Sequence, residues 1–201
     1  MNYKVINKKG VINVVLIHGL FATAGYWLNY LEIFKNCKLI ILEVDYFNSK
    51  SLKDNIESLE HILKNEFNNK IDYIFSHSLG TIIANGLSDI NFKHSFEICP
   101  VYNSNRVSKF EFISKILEKT NLLYTLNNIE KILSNIDIQV YNYKSILKFS
   151  NKRTLFYPNN DIYFNYDHKT IYSFNIFNGD HFEINNALKD SFKFINNLYS
   201  K

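Results

Sequence analysis

The serine at position 78 lies where an apolar, strand-like run (71–75) turns directly into a helix-like run (81–87). A sharp turn between a strand and a helix lifts a hydroxyl out of the backbone and places the next amide N–H beside it, near the positive end of the helix dipole. The turn needs small residues two positions before and after the serine, where this chain has Ser76 and Gly80. The spacing predicts that Ser78 is a nucleophile. The fuller pattern has glycine in place of Ser76, and a chance Ser-x-Ser-x-Gly in a loop is the alternative.

A second segment carries a matching signal near the start of the chain. The β-branched run 11–17 predicts a buried strand, and it leads into His18-Gly19-Leu20-Phe21, a loop opened by glycine. Together the two segments resemble the α/β-hydrolase superfamily. In that family a His-Gly-x loop supplies one backbone N–H of the oxyanion hole, and the residue after the nucleophile supplies the other. The resemblance therefore implies that the amides of Leu20 and Leu79 form the oxyanion hole.

A nucleophilic serine needs a base, and the family order is serine, acid, histidine. Active-site groups collect beyond the carboxyl ends of parallel strands. Five of the six histidines are placed elsewhere. His94 and His168 precede predicted strands, and His61 lies in a predicted helix. His77 is inside the serine turn, and His18, in the oxyanion loop, is expected to be a structural hydrogen-bonding residue. His181 remains, just after the last predicted strand, and Gly179 two residues earlier matches the family's Gly-x-His segment. His181 is therefore the predicted base.

The orienting acid is predicted by the same rule. Residues 153–157 read as the penultimate strand, and Asp161 follows the turn at its carboxyl end. Asp180 is adjacent to His181 in sequence and hard to aim at that ring, and Asp167 lies nearer the start of the next strand. Asp45 follows an earlier strand at the correct edge and is the reserve. The interval from Asp161 to the next strand has room for little more than one helical turn, where the family usually has a full helix.

The elements that must position these residues alternate along the chain. Strands are predicted near residues 3–6, 11–17, 38–44, 71–75, 95–99, 153–157 and 170–177, and helices near 26–34, 51–67, 81–87 and 187–199. This alternation predicts an α/β class, with a mostly parallel sheet and helices on both faces, as in the α/β-hydrolase fold. Trp27 is expected to pack the first helix against the sheet.

Residues 101–149 interrupt the alternation. They contain no proline or glycine, and apolar residues recur at helical spacing, which predicts two or three amphipathic helices at the carboxyl edge of the sheet. The family places its lid there. Phe110 and Leu126 in this segment, together with Phe21, are predicted to line an apolar substrate pocket. Alternatively, the apolar side chains of the lid only pack it onto the sheet.

Composition sets the remaining limits. With 201 residues, 46% of them hydrophobic and 16% aromatic, the chain is expected to form a single domain, 1–201. A net charge of +4 without a basic run argues against nucleic acid, and no glycine-rich phosphate loop or metal-spaced Cys/His cluster implies a cofactor. Cys37 and Cys99 are expected to be free thiols in the core. No signal-peptide pattern or membrane-spanning apolar run is evident, so a cytoplasmic location is expected.

The resemblance implies a serine hydrolase that cleaves a carboxylic ester or thioester with a small to medium apolar acyl group. Among small members, those that cleave the methyl ester of pimeloyl-acyl carrier protein in biotin synthesis are similar in size and carry a helical lid. Lysines on the predicted lid would suit an acidic carrier protein, or would simply form a solvated face (Lys109, Lys115, Lys119 and Lys131). The alternative of a different class is a binding protein that keeps the fold without the chemistry.

Overall fold

The computed structural model describes residues 1–46, 51–101, 104–106, 133–135, 151–166 and 174–199. In this part of the chain the strands are β1 (Asn2–Ile6), β2 (Ile12–Ile17), β3 (Cys37–Glu43), β4 (Tyr73–His77), β5 (His94–Ile98), β6 (Ser104–Arg106), β7 (Arg153–Pro158), β8 (Phe164–Tyr166) and β9 (Phe174–Phe177). The helices are a 3₁₀ helix (Ala24–Phe34), α1 (Leu52–Phe67), α2 (Gly80–Gly86) and α3 (Asn185–Tyr199). Among these described residues no helix is both long and apolar enough to cross a membrane.

Seven strands form one sheet in the order β1-β3-β2-β4-β5-β7-β9. Only β1 runs antiparallel to its neighbour, and the other pairings are parallel. The mostly parallel sheet predicted from the alternating elements is therefore confirmed. Because the parallel strands point the same way, the residues that follow β4, β5, β7 and β9 all lie at one edge of the sheet.

The sheet is buried on both faces, as a parallel sheet requires. Val15 and Ile17 belong to a cluster with α1 and α2, while Val14 and Leu16 belong to a cluster with the 3₁₀ helix and α3. Trp27 is fully buried in the second cluster, as predicted. The two cysteines, Cys37 and Cys99, are buried free thiols, also as predicted.

The structure departs from the sequence-based elements in two places. The first helix is a 3₁₀ rather than an α-helix. The short crossover from β7 to β9 contains strand β8, which pairs antiparallel with β6 in a separate two-stranded sheet. Strand β6 lies inside the range 101–149, where only helices are predicted. Of the rest of the predicted lid, the structure describes only Val101 and residues 133–135, the latter helical. Phe110, Leu126 and the first part of the predicted strand 170–177 lie outside the described residues.

Candidate active site

Ser78 occupies a tight turn directly after β4. Its φ of 52° is in the left-handed region, which is costly for a residue with a side chain. The turn is held by the Ser78 N–H, which donates to the carbonyl of Ile98 at 2.9 Å, and by the Ser78 carbonyl, which accepts from the Thr81 hydroxyl at 2.7 Å. A Cβ on Gly80 would lie 2.6 Å from the carbonyl oxygen of His18. Glycine at position 80 is thus required by close packing, as the sequence pattern predicts.

The structure brings Ser78, His181 and Asp161 together. Ser78 Oγ lies 2.9 Å from His181 Nε2, and His181 Nδ1 lies 2.8 Å from Asp161 Oδ2. With Asp161 ionised, the Nδ1–H donates to the carboxylate, which leaves Nε2 free to accept the serine proton. The histidine and aspartate side chains are 4% and 2% exposed, so the pair is shielded from water. The arrangement can transfer a proton from the serine hydroxyl to the imidazole.

Asp161 is held by four donors. Its Oδ1 accepts the backbone N–H groups of Tyr163 and Phe164 at 2.8 and 3.0 Å, and Oδ2 accepts the Tyr166 hydroxyl at 2.5 Å in addition to His181. Burial opposes ionisation of this carboxyl, but the hydrogen bond and charge of His181, followed by the bonds from Tyr166 and Tyr163, outweigh the burial. The pKa of Asp161 is therefore lower than its ordinary value, and the group is the anion that an orienting acid must be.

The segment around Gly19 lies against the serine. A Cβ placed on Gly19 would be 2.7 Å from Ser78 Cβ, so only a residue without a side chain allows this approach. Leu20 follows Gly19, and Leu79 follows Ser78. Within the part of the chain that the structure describes, neither of these two amide N–H groups donates a backbone hydrogen bond. Two unengaged donors near a serine hydroxyl are what an oxyanion hole needs.

The His18 side chain holds this loop in place by two hydrogen bonds. The Val44 N–H donates to His18 Nε2 at 3.0 Å, so Nδ1 carries the proton and donates to the carbonyl of Gly19 at 2.8 Å. Burial lowers the pKa of His18, although the Gly19 carbonyl and the charge of Glu43 act against this, and the ring stays neutral. Because the Gly19 carbonyl and the Leu20 N–H share one planar trans peptide, fixing the carbonyl also fixes the direction of the N–H. The predicted structural role of His18 is confirmed.

His77 has a role that sequence reasoning missed. The sequence analysis excludes His77 as the base because it lies inside the serine turn, and assigns it no other function. In the structure His77 Nε2 donates to the backbone carbonyl of His181 at 2.6 Å, and its ring stacks on Tyr26 at 5.0 Å. Burial and the neighbouring His181 lower the pKa of His77 to about 3, so the ring is neutral. No short sequence pattern signals this contact, which joins two segments far apart in the chain.

Two tyrosines complete the support of the His181 segment. The hydroxyls of Tyr26 and Tyr30 donate to the carbonyl of Phe182 at 3.2 and 3.0 Å. Both tyrosines belong to the 3₁₀ helix, which packs beside this edge of the sheet. The main chain at positions 181 and 182 is therefore held by side chains from β4 and from the 3₁₀ helix, and this fixes where the imidazole can lie.

Of the other acidic candidates, Asp45 and Asp180 accept hydrogen bonds from groups outside the His181 ring. The carbonyl of Asp45 accepts a hydrogen bond from the Asn55 side chain at 3.2 Å, and the carboxylate bonded to His181 belongs to Asp161. Asp180 Oδ1 accepts the N–H groups of Phe182 and Glu183, which makes it a turn residue. Phe21, the last residue of the loop that begins at His18, has a φ of 62°. Its predicted place in a substrate pocket, together with Phe110 and Leu126, stays a prediction.

Solved structures of similar architecture include proteins described as a thioesterase domain, an α/β hydrolase and a carboxylesterase. The chain is similar to the thioesterase domain of NocB, solved as a covalent complex with a fluorophosphonate nocardicin G analog, with 10% identity, 96% of this chain and 97% of that chain covered, and a TM-score of 0.70. An α/β hydrolase, MGS-MChE2, from a metagenome of sediments of the lagoon of Mar Chica, Morocco, has 12% identity, 98% and 94% coverage, and a TM-score of 0.63. A carboxylesterase of the ammonia-oxidizing thaumarchaeon Nitrososphaera gargenis has 11% identity to this chain. The match covers 99% of this chain and 92% of that chain, with a TM-score of 0.57.

The high coverage and the TM-scores show that the chain has the α/β-hydrolase fold. The sequence identities are too low to show more than the fold. The sequence matches no known protein-family profile, and no curated protein is detectably similar to it.

Proposed function

We propose that this chain is a serine hydrolase that cleaves a carboxylic ester or thioester through an acyl-enzyme intermediate. The observation that carries the proposal is the continuous line of hydrogen bonds from Asp161 through His181 to Ser78, with distances of 2.8 and 2.9 Å. Structural ion pairs also place a histidine beside a carboxylate. A serine hydroxyl in a strained turn on the far side of that histidine is the additional element that nucleophilic catalysis requires.

Each step uses a group with a defined neighbour. Ser78 Oγ attacks the carbonyl carbon while His181 Nε2 takes its proton, and Asp161 stabilises the imidazolium that forms. The negative oxygen of the tetrahedral intermediate accepts the N–H groups of Leu20 and Leu79. His181 then gives its proton to the departing alcohol or thiol, and a water molecule attacks the acyl-enzyme by the same route to release the acid.

The acyl group is proposed to be small to medium in size and apolar. Phe21, at the end of the loop that carries the Leu20 N–H, and the apolar residues predicted for the lid, Phe110 and Leu126 among them, support this choice. The narrower version, a methyl ester carried by an acyl carrier protein, is supported only by the resemblance in size and by the lysines of the predicted lid. Rates for p-nitrophenyl esters and matching thioesters of increasing chain length test the acyl preference. A preference for acetate over longer chains would contradict the apolar pocket.

A fluorophosphonate probe tests the proposal most directly, because it phosphonylates an activated serine without needing the natural substrate. We expect one covalent adduct per chain, located on Ser78 by peptide mass analysis, and no adduct on Ser78→Ala. Ser76→Ala is the matched control: the Ser76 Oγ is buried and has no hydrogen-bond partner among the described residues, so its loss should leave labelling unchanged. Absence of labelling in the folded wild-type protein would favour the binding-protein alternative.

A further inference from the structure

Tyr166 and His181 bind the same oxygen of Asp161. The Tyr166 hydroxyl lies 2.5 Å from Asp161 Oδ2, and His181 Nδ1 lies 2.8 Å from it. Tyr166 is the last residue of β8, the strand in the short crossover from β7 to β9. The sequence predicts little room for structure between Asp161 and the next strand. In the structure this crossover instead contains Tyr166, whose hydroxyl donates to Asp161.

The hydroxyl completes the solvation of a buried charge. A carboxylate has about four acceptor positions, and burial without hydrogen bonds is costly for it. In Asp161 both oxygens receive two donors: Tyr163 and Phe164 on Oδ1, and His181 and Tyr166 on Oδ2. Burial, and then the negative charge that Cys99 and Asp161 would place beside it, raise the pKa of the Tyr166 phenol, so the hydroxyl remains a donor.

We propose that Tyr166 is a positioning residue that sets the proton affinity of the Asp161–His181 pair by donating to the oxygen that the imidazole also uses. The inference rests on the proposed function for its catalytic meaning. Two groups coupled this closely take up protons as a pair. The hydroxyl stabilises the pair most when the imidazole is neutral and the carboxylate charge is uncompensated, and less once an imidazolium neutralises that charge. Tyr166 therefore lowers the pH at which the pair gains its next proton.

Other titratable groups lie on the elements around the Asp161–His181 pair. Cys99, after β5, has a pKa raised by burial and is a neutral thiol. His77, at the end of β4, has a pKa lowered to about 3 by burial and is neutral. Asp180, in the turn after β9, is bound by two backbone N–H groups. Proton uptake by the pair can therefore be followed at pH values where Cys99 and His77 do not change charge.

The test is a pH titration of the His181 ring carbon resonance by NMR, in the free protein labelled with ¹³C-histidine. The resonance is assigned by its loss in a His181→Gln variant. Tyr166→Phe removes only the hydroxyl, and we expect the titration midpoint to rise by about one pH unit, the loss expected for one hydrogen bond to a charged group. Tyr163→Phe is the matched control, because its ring also packs on His181, at 5.6 Å, while its backbone N–H bond to Asp161 is kept. The control should titrate as the wild type does.

A purely structural Tyr166 would lower the melting temperature of Tyr166→Phe without moving the midpoint, and that result would overturn the proposal. If Tyr166→Phe does not fold, 3-fluorotyrosine at position 166 keeps the shape and is a stronger donor. It should lower the midpoint, and an unchanged or raised midpoint overturns the proposal equally. The titration needs no substrate and no turnover. A wild-type protein without hydrolase activity would thus refute the proposed function while leaving the role of Tyr166 measurable.

Discussion

The side chain of His77 holds the main chain of His181, with His77 Nε2 donating to the carbonyl oxygen at 2.6 Å. His77 immediately precedes Ser78, and His181 is the residue whose ring meets the serine hydroxyl. The Ser78 turn and the His181 segment are therefore joined twice, once by the hydrogen bond between the serine hydroxyl and the imidazole and once by this bond. The second link fixes the distance across which the proton must move.

Replacing His77 by phenylalanine should disturb that distance. Phe keeps a ring to stack on Tyr26 but removes the donor, and a small displacement of a catalytic group lowers kcat on the order of 10²-fold. We expect KM for a short ester to change little, because no substrate contact is lost. His77→Gln, which can present an amide N–H, should recover part of kcat. Steady-state rates with p-nitrophenyl acetate decide the matter: wild-type kcat in a folded His77→Phe protein would mean that the bond has no positioning role.

The lowered pKa of His77 predicts how the stability of the protein depends on pH. Burial, with the neighbouring His181, lowers its pKa from 6.5 in the unfolded chain to about 3 in the folded one. Between these values the unfolded state binds the extra proton, so stability is fully present above pH 6.5 and is lost as the pH falls toward 3. The slope from this one group approaches about 1.4 kcal/mol per pH unit.

Urea unfolding at a series of pH values measures this slope. The His77→Phe variant should show a shallower decline between pH 6 and 4 than the wild type, after each is normalised to pH 7.5. His94, whose pKa is lowered to about 4 by burial and by Arg153, should account for part of the decline that remains. Parallel curves for the two proteins would show that His77 does not titrate in this way.

Gly19 should be required for activity because of its contact with the serine. An alanine Cβ would lie 2.7 Å from Ser78 Cβ, so the loop that carries the Leu20 N–H must move away. Loss of one oxyanion donor lowers kcat by about 10²- to 10³-fold. Gly25→Ala is the control, since its Cβ would approach only the Thr23 hydroxyl, at 3.2 Å. Equal kcat values in the two alanine variants would contradict the assignment of the oxyanion hole.

The residues of the site that the sequence predicts are those fixed by chain topology. Ser78, Asp161 and His181 each follow a parallel strand, and the shared direction of those strands places all three at one edge before any side chain is considered. Asp45 obeys the same rule, and sequence alone could only hold it in reserve.

The contacts of His77 and Tyr166 escape prediction for a physical reason. Both depend on how far a side chain reaches between segments whose relative placement is set by packing, not by periodicity. Strand β8 has three residues, too few for an alternating pattern to be recognised, and it pairs with the equally short β6. An interval that reads as too short for a helix thus holds a strand that completes the acid's hydrogen bonds.

The identity of the acid gives the last prediction. Asp161→Asn keeps the size of the side chain, but its amide can donate to His181 Nδ1 and favour the tautomer with the proton on Nε2. Ser78 then faces a donor where it needs an acceptor, and kcat should fall by about 10⁴-fold while the melting temperature changes little. Asp45→Asn should retain nearly wild-type kcat, because the carboxylate bonded to His181 is that of Asp161. Turnover numbers for the two variants with one ester separate the outcomes, and a large loss in Asp45→Asn alone would move the acid to the end of β3.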